Sequence, residues 1–100
     1  MALAHEVHSA VERWPLLDRK TVGQQLIRSA TSVPANIAEA AGRWHDPDSR
    51  RLLWIARGSL YETEFWISYA EDRGLLAHGT ADRIPTIARP LMGLIRRREP

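Results

Sequence analysis

Apolar residues recur along this chain every three or four positions, the spacing of one face of an α-helix, and no stretch alternates as a strand does. Leu3, Val7, Ala10, Val11 and Trp14 form the first such stripe, which Pro15 closes. "PLLDRK" then reads as a connection. A second stripe runs through Val22, Leu26, Ala30, Val33, Ile37 and Ala41 and keeps phase across Pro34. One helix bent at Pro34 is therefore predicted, not two helices joined by a turn. Thr21 and Gln24 have capping-box spacing for its start, and Gly42 suits its end. Pro34 removes the donor for the Ala30 carbonyl, and Ser32 and Asn36 are the side chains nearest in sequence to satisfy it. In "HDPDS", Asp46 is predicted as N-cap, Pro47 as first helical residue and Asp48 as a favourable first-turn charge. The third helix buries Leu52, Leu53, Ala56, Leu60, Thr63, Ile67 and Ala70 and stops at Gly74. A fourth carries Ile84, Ile87, Leu91, Leu94 and Ile95, with Pro85 and Pro90 inside it. Helices at about 2–14, 21–42, 46–73 and 78–97, joined by short connections, predict an all-α, antiparallel up-down four-helix bundle in one domain, residues 1–100, with a Pro-kinked second helix.

The third helix has more apolar surface than one core requires. Trp54, Gly58, Tyr61, Phe65 and Tyr69 follow at intervals of four, three, four and four, on the side opposite Ala56. A helix apolar on two sides is buried on two sides. The stripe reads as a subunit interface, with Gly58 allowing close backbone approach. The competing reading is that neighbouring helices of the same bundle cover it.

Charge adds a second feature. The chain has 14 Lys plus Arg against 12 acidic residues, a net charge of only +2, and every basic residue except Lys20 is Arg. Arg43, Arg50, Arg51 and Arg57 gather about the start of the third helix beside Trp44 and Trp54, and Arg96, Arg97 and Arg98 stand together near the end. Arginines interleaved with aromatics suit phosphates and unpaired bases. The plainer reading is that their stems cover apolar surface.

Catalytic and metal chemistry find little support. Without cysteine there are no disulfides, thiolate metal sites or cysteine nucleophiles, which fits a reducing cytoplasm. No apolar run approaches the roughly 20 residues of a membrane span, and the N-terminus does not read as a signal peptide. His5, His8 and Glu12 share a helical face, yet a terminal helix reads more simply as solvated. No Glu has His three residues later, as di-iron bundles require. Phosphate-binding and dinucleotide fingerprints and nucleophile elbows are missing too. No enzyme activity, metal or cofactor is expected.

"SVPANIAEAAGR", followed by "RLLWIARGSLYETEFWISYAEDRGLL", resembles the four-helix bundle proteins of the 23S rRNA intervening-sequence family. Gln25, Arg28, Ser32, Pro34, Asn36, Glu39, Gly42, Arg43, Gly58, Ser59, Glu62, Glu64 and Gly74 carry the match. The chain departs from the pattern at Ala40, Arg57, Pro85 and Pro90, and helix 1 is expected to be short. The resemblance implies a homo-oligomer, a pentameric ring in several members. It also implies kinship with accessory proteins of diversity-generating retroelements, which meet nucleic acid through a basic surface. An accessory role on RNA or a ribonucleoprotein is thus expected, against the alternative of a protein-interaction scaffold without nucleic acid. Asn36, Glu39, Ser59 and Glu62 are further expected to form a structural polar network between helices 2 and 3, paired with Arg28 or Arg43.

Overall fold

A computed structural model describes residues 1–98, so the last two residues of the predicted domain lie outside the described ones. The described chain is helical, with helix α1 at Ala2–Val11, α3 at Asp48–Asp72 and α4 at Ile84–Arg96. Helix α2 is built from three consecutive pieces: Leu16–Asp18, a π-helical turn Arg19–Gly23, and Gln24–Gly42. Pairs across α2 and α3 run in opposite senses: Arg28 meets Glu62, Ser32 meets Ser59, and Ala40 meets Ser49. The two helices are therefore antiparallel. The same holds for α3 and α4, where Glu71 meets Ala81 and Ser49 meets Arg98. The molecule is elongated, 46 × 22 × 17 Å.

The core is a string of Leu3, Val7, Val11, Trp14, Leu26, Val33, Leu53, Leu60, Ile67, Leu91 and Ile95 along the bundle axis. Every predicted core residue of α3 is buried, which the 3.6-residue period explains. Ala41, assigned to the α2 stripe, is exposed, and Ile37 is only half-buried. Trp14 plugs one end and donates from Nε1 to the Leu75 carbonyl at 3.1 Å.

Four end signals turned out differently or more fully than expected. Thr21 does not cap: α2 is already helical from Leu16, Pro15 precedes it in an extended conformation, and the Thr21 hydroxyl donates to the Leu17 carbonyl at 2.8 Å. Gly42 ends α2 without a left-handed backbone. The Ala40 carbonyl there accepts from the Arg43 amide (3.2 Å) and the Ser49 hydroxyl (2.9 Å), which satisfies it without the usual glycine motif. Helix α3 starts one residue later than expected, at Asp48, with Pro47 rather than Asp46 as N-cap, although Pro47 already has helical angles and the Asp46 carboxylate accepts from the Asp48 amide at 2.8 Å. Gly74 closes α3 in a Schellman motif: at φ +74° it lets the Leu75 amide reach the Ala70 carbonyl (2.8 Å) and its own amide reach Glu71 (3.0 Å). Helix α4 begins later than 78, after a 3₁₀ turn at Thr80–Arg83, with Pro85 in its first turn.

Pro34 lies inside α2 as predicted. Asn36 and Ser32 bond elsewhere than the Ala30 carbonyl: Asn36 Nδ2 donates to the Ser32 carbonyl (2.8 Å) and Oγ (3.0 Å), and Ser32 Oγ lies 2.9 Å from Ser59 Oγ. The small polar groups beside the proline thus tie its turn to α3.

Candidate interaction surfaces

Core and stripe lie about 180° apart round α3, counting about 100° per residue. Burying Leu53, Ala56, Leu60 and Ile67 against α2 and α4 therefore turns the stripe outward. Trp54, Tyr61, Phe65 and Tyr69 are 40 to 57% exposed. The neighbouring helices of the bundle do not cover them, and that reading falls. Gly58 is exposed between Trp54 and Tyr61, with no atom within 4 Å of where a Cβ would stand. From Trp54 to Tyr69 the ridge runs about 22 Å at 1.5 Å per residue. Phe65 separates two grooves. One, about 510 Å³, is lined by Tyr61, Glu64, Ser68, Ala81 and Pro85; the other, about 600 Å³, by Lys20, Gln25, Trp66 and Tyr69. Trp66, which the sequence reading missed, props the ridge from beneath, 4.8 Å from the Phe65 ring and 6.1 Å from Tyr69, both edge to face. Its four-residue spacing from Glu62 and Ala70 set it apart from the aromatic stripe, so only proximity in space reveals it.

The seven arginines expected to form one surface divide. Arg57 belongs to the ridge: its guanidinium sits 4.7 Å from the Tyr61 ring centre and 5.4 Å from Trp54, and donates to Tyr61 Oη at 2.9 Å. Arg43 reaches Glu39 (3.0 Å) and Asp48 (3.5 Å), and Arg51 donates twice to Asp48, once at 2.9 Å. The Arg51 guanidinium holds the Asp48 carboxyl below its ordinary range, with partial burial working against it and Arg43 adding to it. Arg96 lies apart, in a shallow depression with Ala88, Arg89 and Met92.

Arg50, Arg97 and Arg98 do meet. The α2–α3 connection and the end of α4 converge at one end of the bundle, around a cleft of about 270 Å³ lined by Trp44, His45, Asp46, Pro47 and these three arginines. The Arg98 guanidinium lies 3.1 Å from the centre of the Trp44 ring and donates to Ser49 Oγ (2.7 Å) and the Leu94 carbonyl (3.2 Å). Burial and the adjacent Arg97 charge lower the Arg98 pKa, yet a guanidinium stays protonated in a protein. His45 and Pro47 gave no chemical signal in the sequence and join the site through the fold.

The predicted polar network is three separate pieces. Arg28 donates to Glu62 at 2.7 and 2.8 Å and to Gln25 at 3.1 Å, all exposed. Asn36, Ser32 and Ser59 form the half-buried piece beside Pro34. Glu39 pairs with Arg43 on the outside. Sequence reasoning missed the fully buried contact, Ser29 Oγ to Thr63 Oγ1 at 3.0 Å, with Thr63 also 2.7 Å from the Ser59 carbonyl. His8 pairs with Glu12 at 3.2 Å, and no group of three or more potential metal ligands occurs among the described residues. No helix among them is long and apolar enough to cross a membrane.

A comparison with curated proteins finds no match. The model of the family described as 23S rRNA-intervening sequence protein matches residues 1–96, the same stretch that folds into the helices described above. With nearly its whole length matched, the chain belongs to the 23S rRNA-intervening sequence protein family.

Proposed function

We propose that this chain is a non-enzymatic helical bundle that assembles with copies of itself through the α3 ridge and presents its arginine-lined end to RNA or a ribonucleoprotein. The ridge carries the reading. Four aromatic side chains in one row, flanking a bare glycine backbone and bordered by two grooves, are the composition of an interface core. A row that projects and grooves beside it can be matched by another copy of the same helix. Five copies, the assembly the resemblance implies, would set five ends in a ring and multiply weak contacts with one RNA.

The end cleft supports the RNA part, since residues from two stretches far apart in the chain, Trp44 to Arg50 and Arg97 with Arg98, converge there on one face. Phosphate contacts release counterions, so two or three of them weaken binding to a single strand about 7- to 20-fold between 50 and 200 mM salt. Fluorescence anisotropy with a structured RNA, using the wild type and an Arg50→Ala/Arg97→Ala/Arg98→Ala variant, tests this. The expected result is binding that falls with salt and is lost in the variant. No binding at 50 mM overturns the RNA part.

One observation favours a scaffold without nucleic acid: Arg43 and Arg51 are already matched by Glu39 and Asp48. On that reading the ridge still assembles the protein, and its self-association persists at high salt.

A further inference from the structure

We infer that the end cleft holds one unpaired nucleotide of an RNA strand, its base stacked on Trp44 and its phosphate met by the guanidinium groups of the lining. This deepens the RNA reading above and rests on it.

Trp44 is the reason. It stands outside the ridge, yet 46% of its surface is exposed. One face carries the Arg98 guanidinium, which is itself fixed: Arg98 donates to Ser49 Oγ, and Ser49 Oγ donates in turn to the Ala40 carbonyl at 2.9 Å. The indole is therefore held in place before any ligand arrives, so little ordering cost remains for stacking. Arg98, held by Trp44, Ser49 and the Leu94 carbonyl, positions the indole; Arg97, whose Nε donates to the Gly93 carbonyl at 3.2 Å, and Arg50 share the lining and add positive charge for a phosphate to meet.

Size and charge narrow the occupant. At about 270 Å³ the cleft lies just below the roughly 300–1,000 Å³ of pockets that enclose drug-sized ligands, so it takes at most one nucleotide of a strand. Asp46 shares the lining, with its carboxylate on the Asp48 amide. A carboxylate there weakens the pull on a bare anion, so stacking must add to charge. A duplex offers phosphates and groove edges while its base faces stay stacked inside. Only an unpaired base presents the π-face that an exposed indole accepts.

The test is anisotropy at about 50 mM salt with the full chain and a labelled oligoadenylate 12-mer, free or annealed to its complement. The single strand is expected to bind more tightly than the duplex. Trp44→Leu, which keeps apolar bulk without a ring, is expected to weaken the single strand between about 5- and 150-fold and to leave the duplex unchanged. Trp44→Phe is expected to retain most of the affinity, and melting curves of both variants check that they fold. Single-strand binding that is indifferent to Trp44→Leu overturns the stacking site and leaves the RNA reading standing. Failure of both RNAs to bind the wild type overturns the two together.

Discussion

Gly23 sits where the π turn of α2 passes beneath α1, and replacing it with Ala tests that packing directly. A Cβ there would lie 2.6 Å from Val11 Cγ1, 3.2 Å from the Asp18 carbonyl oxygen and 3.7 Å from Trp14 Cε3. The first contact is closer than carbon atoms tolerate, and Val11 has little room to yield: it is buried and β-branched, with its χ1 restricted. Overpacking of this kind costs about 1–3 kcal/mol. Against it stands the gain of about 1 kcal/mol from replacing Gly by Ala in a helix. The net loss is about 1 kcal/mol, a fall in Tm of about 4–8 °C for a domain of this size. In a Val11→Ala background the offending methyl is gone. That substitution alone costs about 2 kcal/mol in lost burial and cavity, but Gly23→Ala added to it should be near neutral, the helix gain offsetting the 3.2 Å approach to the Asp18 carbonyl oxygen that remains. Thermal and urea unfolding by circular dichroism, at one fixed protein concentration, give the four corners of the cycle. A coupling of at least about 1 kcal/mol is expected. Equal costs of Gly23→Ala in both backgrounds would refute the packing argument.

Three further outcomes follow from individual contacts. The Ser29 hydroxyl gives its one hydrogen to the Leu26 carbonyl at 3.1 Å, so its oxygen accepts from Thr63, whose own hydrogen is shared with the Ser59 carbonyl; Thr63→Val and Ser29→Ala should each cost about 1 kcal/mol and couple in a double-mutant cycle, and full additivity would contradict the contact. The Asp48 carboxyl has a folded pKa below its ordinary value, chiefly through Arg51, so its contribution is present above about pH 4 and is lost as pH falls through the lower folded value; Tm measured from pH 5 to pH 2 should drop less steeply in Asp48→Asn than in the wild type. Gly58→Ala meets no neighbouring atom within one chain and should raise the stability of a separated chain by about 1 kcal/mol, yet weaken self-association if backbones approach there; dilution series of both proteins separate the two effects.

What the sequence made legible was periodic. The core face of α3 and the opposed aromatic row follow from 100° per residue, and the phase across Pro34 required one helix. The start of α2 was not legible, because a π turn shifts the register by one residue and makes Thr21 resemble a cap when it is already inside the helix. Ser29 lay in plain view, three after Leu26 and four before Val33, on the buried stripe; a small polar residue there signals a buried hydrogen bond. The arginines were misleading as a group because sequence proximity does not fix direction. Arg51 and Arg57 leave the same helix near its start and end on different partners, Asp48 and the Tyr61 ring. The end cleft needed the fold itself, since Trp44 and Arg98 meet only after α3 and α4 have returned the chain to its own α2–α3 corner.

The ridge as a seam between copies bears most of this account, and sedimentation equilibrium at micromolar concentration tests it most directly. The wild type is predicted to sediment as an assembly of several copies, with five times the 11.4 kDa chain mass as the expected value, and Phe65→Asp, which places a charge on the ridge without touching the core, is predicted to release single chains that melt cooperatively. A wild type that sediments at 11.4 kDa would contradict it.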